Sequence, residues 1–175
     1  MPTIAPARLI LDRAPSPIGE LLLVVDAEGR LRAADFHDYE ARMLRLLRLH
    51  YGEATLEAGA APAATRAALV AYFEGDLAAI ATIPWTTGGT AFQQAVWRAL
   101  GGVAPGTTQT YAALAARIGK PAAVRAVGAA NGANPLSIVV PCHRLVGTDG
   151  ALTGYGGGIE RKAWLLAHEG ARPRG

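Results

Sequence analysis

Residues Thr110–Gly132 read TYAALAARIGKPAAVRAVGAANG. Thr110 suits the cap of a helix over Tyr111–Ile118, because its hydroxyl can accept from the free N–H groups of the first turn. Gly119-Lys120-Pro121 breaks that helix. Pro121 then stands at the first position of a second helix, Ala122–Ala130, where its missing N–H costs nothing, and Asn131-Gly132 ends it. A helix, a short glycine-containing turn and another short helix outline a helix-turn-helix, although many helical hairpins share that outline. The second helix is the one that would enter a groove. Its residues are small (Ala122, Ala123, Ala126, Gly128, Ala129, Ala130) and its one charge is Arg125. Small side chains allow close approach but read few base edges, which predicts recognition of shape more than of sequence.

Upstream of this pair, Thr90 can cap a helix over Ala91–Leu100, with Phe92, Val96 and Leu100 at helical spacing. Residues 83–89 form the expected linker. Before it, Leu9–Asp12, Glu20–Asp26 and Leu31–Phe36 read as strands separated by turn-forming stretches, which favours an antiparallel meander. Glu40–Tyr51 reads as a helix with Met43, Leu44, Leu47 and Tyr51 on its apolar face and Arg42, Arg45 and Arg48 off it. Ala63–Phe73 reads as another. Downstream, Ile138-Val139-Val140 reads as a short buried strand running into Pro141, and Gly147–Gly158, with six glycines, reads as loop and turns. Ile159–His168 is the last helix, with Ile159, Ala163 and Leu166 as its apolar face. Arg172-Pro173-Arg174-Gly175 reads as a frayed tail. The expected organisation is a supporting α/β domain over residues 1–82 and an α-helical domain over residues 90–175.

The chain has 175 residues, of which 51% are hydrophobic and 18% charged, so low-hydropathy disorder is excluded. The longest aliphatic run, Leu21–Val25, is far short of the ~20 residues that span a bilayer. No basic segment followed by an apolar core opens the sequence, so no secretory leader is expected. With one cysteine there is no internal disulfide and no cysteine-rich zinc site, and the expected compartment is the cytoplasm. The net charge of +3 is uneven: residues 1–87 carry −3, whereas residues 88–175 carry nine basic and three acidic side chains, or +6. A positive second half suits a polyanion, and ordinary scatter of surface charge is the plainer reading.

Chemistry concentrates in Ile138-Val139-Val140-Pro141-Cys142-His143-Arg144. A thiol is a modest nucleophile at its free pKa and becomes a good one beside a base or a cation. Neighbours on a strand point to opposite faces, however, so Cys142 and His143 need not touch, and a buried structural cysteine is the common alternative. Glu169, one of three acids after residue 88, is the best candidate to orient the histidine. Asn131 and Asn134 link the second helix of the pair to the cysteine, either as functional groups or as turn formers. Tyr155 with Gly156, Gly157 and Gly158 can wall a pocket for a flat ligand or form a flexible turn. No phosphate-binding glycine fingerprint is present.

Taken together, several motifs resemble the O(6)-alkylguanine-DNA alkyltransferases. They are Pro141-Cys142-His143-Arg144 preceded by Asn134-Pro135 and Ile138-Val139-Val140, then Tyr155-Gly156-Gly157-Gly158 and Trp164-Leu165-Leu166-Ala167-His168-Glu169-Gly170. The likeness extends back through Phe92–Trp97, Tyr111–Ala115 and Val124–Gly128, is close over residues 90–170, and is loose before that, mainly at Ser16-Pro17-Ile18-Gly19. It implies a ribonuclease-H-like first domain and a winged helix-turn-helix second domain. It implies irreversible transfer of an alkyl group from guanine O6, and less readily from thymine O4, to Cys142 after the nucleotide turns out of double-stranded DNA. Under the resemblance His143 acts on Cys142 through a water and Glu169 orients His143. Asn134 sits in the hinge, Arg125 enters the base stack and Tyr111 presses on the phosphate. Pro141, Tyr155, Gly156 and Gly157 line the base pocket. No metal, nucleotide or redox cofactor is implied, no membrane, and a monomer in the free state. A non-catalytic binder of alkylated DNA, a helix-turn-helix regulator and a Cys-His-Glu hydrolase are the competing readings. Some relatives carry zinc in the first domain; the lone cysteine with His37 and His50 argues against it here. Some carry serine at the position of Gly156, and glycine there implies a roomier wall that admits larger alkyl groups.

Overall fold

A computed structural model describes residues 8–171; the tail Arg172–Gly175 lies outside them. The chain begins with β1 (Arg8–Ala14), β2 (Leu21–Val25) and β3 (Leu31–Phe36), and continues through α1 (Glu40–Tyr51), β4 (Thr55–Ala58) and α2 (Ala63–Phe73). Beyond a 3-10 turn at Leu77–Thr82 come α3 (Ala91–Gly101), β5 (Gln109–Thr110), α4 (Tyr111–Arg117), α5 (Val124–Gly132), β6 (Leu145–Val146) and α6 (Ile159–His168). The four-stranded sheet is mixed, in the order β3-β2-β1-β4. Ile10 lies opposite Val25 and Leu21 opposite Phe36 in antiparallel pairs, while β4 runs parallel to β1 with Arg8 opposite Thr55.

The run Leu21-Leu22-Leu23-Val24-Val25 has no polar face because both faces of β2 are covered. Leu22 and Val24 pack with Met43 and Leu47 of α1. Leu21, Leu23 and Val25 face the opposite way, into a core shared with Leu69 and Tyr72 of α2, Trp97 of α3 and Cys142. One hydrophobic core therefore joins the sheet to the cysteine.

The second half is also stitched to the outer edge of β3. Leu31 N–H donates to Pro84 O (2.9 Å) and Thr86 N–H to Leu31 O (3.0 Å). Further along, Ala34 N–H donates to Pro135 O (2.9 Å) and Ser137 N–H to Ala34 O (3.0 Å). Two separate segments thus satisfy backbone groups that an edge strand would leave open.

The three-strand meander, α1 and α2 match expectation, and so do α3 and α4 with their threonine caps: Thr90 forms a full capping box with Gln93, and Thr110 accepts from Ala113 N–H. Four readings are corrected. Ile138-Val139-Val140 is buried but is no strand: Val139 N–H donates to Ser137 O and Val140 N–H to Leu136 O, closing tight turns, and Ile138 has φ +72°. A β-branched residue in that region is strained. Periodicity cannot separate a buried turn from a buried strand. Helix α5 begins at Val124, because Ala123 N–H donates to Lys120 O in a turn that contains Pro121. In α6 the buried residues are Lys162, Leu165 and Leu166, while Ile159 is 44% exposed. In α1, Met43, Leu46 and Leu47 are buried, and Arg42 is drawn inward by the buried Asp35. Strand β4 was not expected: its TLEA sequence is short and half polar, and its pairing with β1 spans tens of residues.

Candidate active site and basic face

Cys142, His143 and Arg144 form a single 3-10 turn directly after Pro141, with all three side chains buried. In such a turn neighbouring side chains diverge, so each residue of the motif meets a different environment. Cys142 borders a cavity of about 370 Å³ lined by Tyr111, Gly128, Asn131, Gly132, Gly154, Tyr155 and Gly156. His143 points away from it, its Nε2 2.8 Å from Glu169 Oε2. Arg144 forks onto the same carboxylate, Nε to Oε1 at 2.8 Å and Nη2 to Oε2 at 2.9 Å, while its Nη1 donates to Val103 O at 2.6 Å. The hydroxyl of Tyr72, from α2, donates to Glu169 Oε2 at 2.6 Å.

These contacts set the protonation states. Burial works against an ionised Glu169, but hydrogen bonds from Arg144 and His143 outweigh it and hold the carboxyl well below the usual range. Burial lowers the basicity of His143, and Glu169 only partly restores it. Arg144 already neutralises Glu169, so the imidazole faces a compensated carboxylate. Burial also pushes the Cys142 thiol up, against the hydrogen bond of Asn134 and the charges of Arg42 and Lys162. These surroundings favour the neutral thiol over the thiolate.

Asn134 is fully buried and ties off the turn below the cysteine: its Nδ2 donates to Val140 O at 2.8 Å, and its Oδ1 accepts from Leu136 N–H at 3.0 Å. Arg42 pairs with Asp35 (2.9 Å) and donates to Gly132 O (2.6 Å) and Asn134 O (3.0 Å), gripping the end of α5 from the first half. The Tyr111 hydroxyl is 2.7 Å from Thr153 Oγ1. Tyr155 packs edge-on to His143, and its hydroxyl is buried with no hydrogen-bond partner among the described residues; burial, then the nearby Cys142, raises its pKa well above 10.

Gly156 lines the cavity, yet a Cβ there would come within 3.0 Å of Arg42 Cζ. The missing side chain makes room for a guanidinium of the first half. This corrects the expectation that glycine simply enlarges the wall. At Gly157 a Cβ would meet Phe36 at 2.8 Å, so glycine lets the loop lie against β3.

Of the sequence-derived candidates, Cys142, Tyr111, Tyr155 and Gly156 line one cavity, whereas Pro141, His143, Asn134 and Glu169 do not line it: Pro141 and His143 flank Cys142 in the chain, Asn134 holds the turn before it, and Glu169 lies behind His143. Gly157 packs behind the cavity on Phe36, and Arg125 stands on the exposed side of α5. Sequence reasoning missed Tyr72, Arg42, Asp35 and Lys162. Lys162 is fully buried, donates to Leu145 O (2.5 Å) and Thr153 O (3.2 Å), and is shifted down to about 8 by burial. Its one sequence signal was its place three and four residues before Leu165 and Leu166, on the same face of α6.

The charge excess of the second half is partly consumed inside. Arg144 and Lys162 are buried, and Arg161 holds Asp38 (2.8 Å) and stacks 4.2 Å from the centre of the Phe36 ring. Arg98, Arg117, Lys120 and Arg125 remain exposed, the last three on α4, α5 and the turn between them. Gly119 has φ +78°, which suits glycine and lets α4 turn sharply into α5.

The fold and site thus define a cysteine-centred protein whose thiol opens on a cavity beside an exposed, basic helix pair. Residues 91–171 match the family model described as "6-O-methylguanine DNA methyltransferase, DNA binding domain". A Salmonella typhimurium protein named methylated-DNA–protein-cysteine methyltransferase is 50% identical over 165 residues, covering 93% of this chain and 96% of that one. A Mycobacterium tuberculosis protein solved in complex with DNA superposes with TM-score 0.77 at 39% identity, covering 92% of both chains. The O6-methylguanine-DNA methyltransferase of the archaeon Pyrococcus kodakaraensis superposes with TM-score 0.63 at 26% identity, covering 93% of this chain and 99% of that one. The chain belongs to the methylated-DNA–protein-cysteine methyltransferase family.

Proposed function

We propose that this protein reverses DNA alkylation directly, moving an alkyl group from guanine O6, and less readily from thymine O4, onto Cys142. One observation carries the reading: the chain's single cysteine borders a cavity whose wall is α5, the helix that also bears the exposed Arg125. The target atom lies inside stacked duplex, so the nucleotide must turn out, at a cost of a few kcal/mol that is smaller for a damaged pair. Arg125 fills the vacated space while its charge stays near phosphates. Tyr111 bears on the backbone of the extruded nucleotide. Pro141, Tyr155, Gly156 and Gly157 shape the pocket.

In the transfer the sulfur attacks the alkyl carbon in line. The carbon–O6 bond breaks and its electron pair stays with the base. The thiol proton leaves through a water to His143 Nδ1, the ring nitrogen opposite Glu169. Tyr155 or a backbone N–H donates to the departing guanine. Asn134 holds the hinge that presents Cys142. The thioether product has no leaving route, so each molecule acts once. On this reading residues 1–82 are a ribonuclease-H-like supporting domain, 83–89 a linker and 90–175 a winged helix-turn-helix domain, acting in the cytoplasm. The mixed sheet and the α4–α5 pair support that assignment.

The test is intact mass after mixing with duplex containing O(6)-methylguanine. A gain of one methylene, located at Cys142, is expected; unchanged mass with unrepaired DNA overturns the reading. A hydrolase would turn over repeatedly, and a regulator would prefer one sequence and keep binding as Cys142→Ala. Arg125→Ala is expected to slow transfer from duplex more than from the free base, measured as single-turnover rates, and equal losses would remove its role in the stack.

A further inference from the structure

Arg161 lies outside the cavity of Cys142, in the first turn of α6, with its side chain 16% exposed. Its guanidinium reaches two segments at once. Nε donates to Ile18 O at 2.9 Å and Nη1 to Asp38 Oδ1 at 2.8 Å, both in the first half. The same Nη1 donates to Gly157 O at 3.2 Å, in the loop whose Gly154, Tyr155 and Gly156 line the cavity. Its Cζ lies over the Phe36 ring, 4.2 Å from the centre. Gly19, at φ +122°, makes room for this fork: a Cβ there would meet Nη2 at 2.9 Å.

The contacts continue inward from Phe36, which is fully buried. A Cβ on Gly157 would meet Phe36 at 2.8 Å and Tyr155 at 2.7 Å, so the bare backbone of Gly157 fills the gap between the two rings. Tyr155 then packs edge-on to His143, ring centres 6.4 Å apart. Guanidinium, phenylalanine, glycine and tyrosine thus form one stack from the first half to the neighbour of Cys142. The loop needs such support. Four of the five residues from Gly154 to Gly158 are glycines, which have the widest backbone freedom. The Tyr155 hydroxyl has no hydrogen-bond partner among the described residues, so packing sets where its ring sits.

We infer that Arg161 is a positioning residue for the transfer: by fixing Gly157 against Phe36 and the Ser16–Gly19 turn, it holds the Tyr155 ring at the cavity and so sets the rate at Cys142. Arg161 itself touches neither base nor sulfur. The role calls for an arginine and not merely a cation. A planar fork can donate to Ile18 O and Gly157 O while its face rests on Phe36, whereas an ammonium is a point charge. The inference rests on the proposed transfer.

The experiment uses the full chain, below the unfolding midpoint of every variant. It reads single-turnover methyl transfer from duplex containing O(6)-methylguanine, by intact mass, over a range of protein concentration. Arg161→Ala is expected to lower the limiting rate about tenfold, because small misplacements near a reacting centre are costly, and to keep the half-maximal concentration within about twofold. Hydrogen exchange in free Arg161→Ala is expected to quicken at residues 154–158, where Gly158 N–H donates to Tyr155 O, and to stay unchanged in α4 and α5. Arg161→Lys, which keeps the charge opposite Asp38, is expected to lose as much rate as Arg161→Ala. An unaltered limiting rate in Arg161→Ala with a lowered unfolding midpoint overturns the inference and leaves Arg161 as a brace for the fold. Full rescue by lysine also overturns it, since the charge would then suffice. A change confined to the half-maximal concentration overturns it as well and makes Arg161 a DNA contact. Absence of transfer by the natural protein would bring down the proposed transfer and this inference together, whereas the other three results bring down this inference alone.

Discussion

The ion pairs at the surface of the first half and the charges buried beside Cys142 in the second are held in different ways. In the first, Arg13 with Glu20 and Arg8 with Glu57 lie at the surface with both partners largely in water, and the buried Asp35 and Asp26 are each held by an arginine that reaches toward solvent. In the second, Arg144 and Glu169 are buried together at 2.8 Å, and Lys162 is buried with backbone carbonyls as its hydrogen-bond acceptors. Exposed pairs are screened by solvent and contribute little. A buried charge is tolerated only while every partner stays in place. The exposed pairs of the first half can therefore lose a charge freely, whereas Arg144, Glu169 and Lys162 are committed to one geometry around the cysteine. The first half still takes part in that geometry, through Tyr72 on Glu169 and Arg42 on the end of α5.

The sharpest way to break this contrast is Glu169→Gln. It strands Arg144 in the core and is expected to cost about 3–5 kcal/mol of stability by denaturant unfolding. Glu20→Gln in the same assay is expected to leave the midpoint where it was. Comparable shifts in the two variants would erase the distinction.

Tyr72→Phe keeps the ring and removes one donor to an ionised carboxylate. It is expected to cost about 1.5–3 kcal/mol and to slow methyl transfer without weakening DNA binding. Full stability and rate would mean that the first half merely packs against the site.

The effect of pH is smaller and separates the halves again. Lys162 is shifted down to about 8, from 10.5 in the unfolded chain. Between these values the folded protein has released a proton that the unfolded chain still holds, so stability rises with pH across that window. Subtracting the profile of Lys162→Met is expected to isolate this rise. A difference profile flat from pH 8 to 10.5 would show that Lys162 keeps its proton when buried. Glu169 acts at the other end: its pKa is depressed, so its stabilisation holds above the unfolded value and fades as pH falls.

Much of the site was legible locally. A threonine before Ala91 and another before Tyr111 start α3 and α4 because capping depends on residues three positions apart. The Pro-Cys-His-Arg turn with Glu169 could be recognised because the motif is itself the chemistry. Gly156 was legible as a pocket residue but not for its reason, which is the nearby Arg42 guanidinium. Ile138–Val140 was legible as buried but not as a turn, since hydrophobicity reports the environment and not the backbone path.

The sequence by itself determined where α3 and α4 start, which residue is the candidate nucleophile and which histidine follows it, because those follow from short-range hydrogen bonding and from residue chemistry. The tertiary structure alone decided what each polar group faces. Tyr72 meets Glu169 across 97 residues, and Arg42 reaches Gly132 across 90. Those partnerships arise from packing two halves against one core, where burial, rather than proximity along the chain, sets which charge each side chain must find.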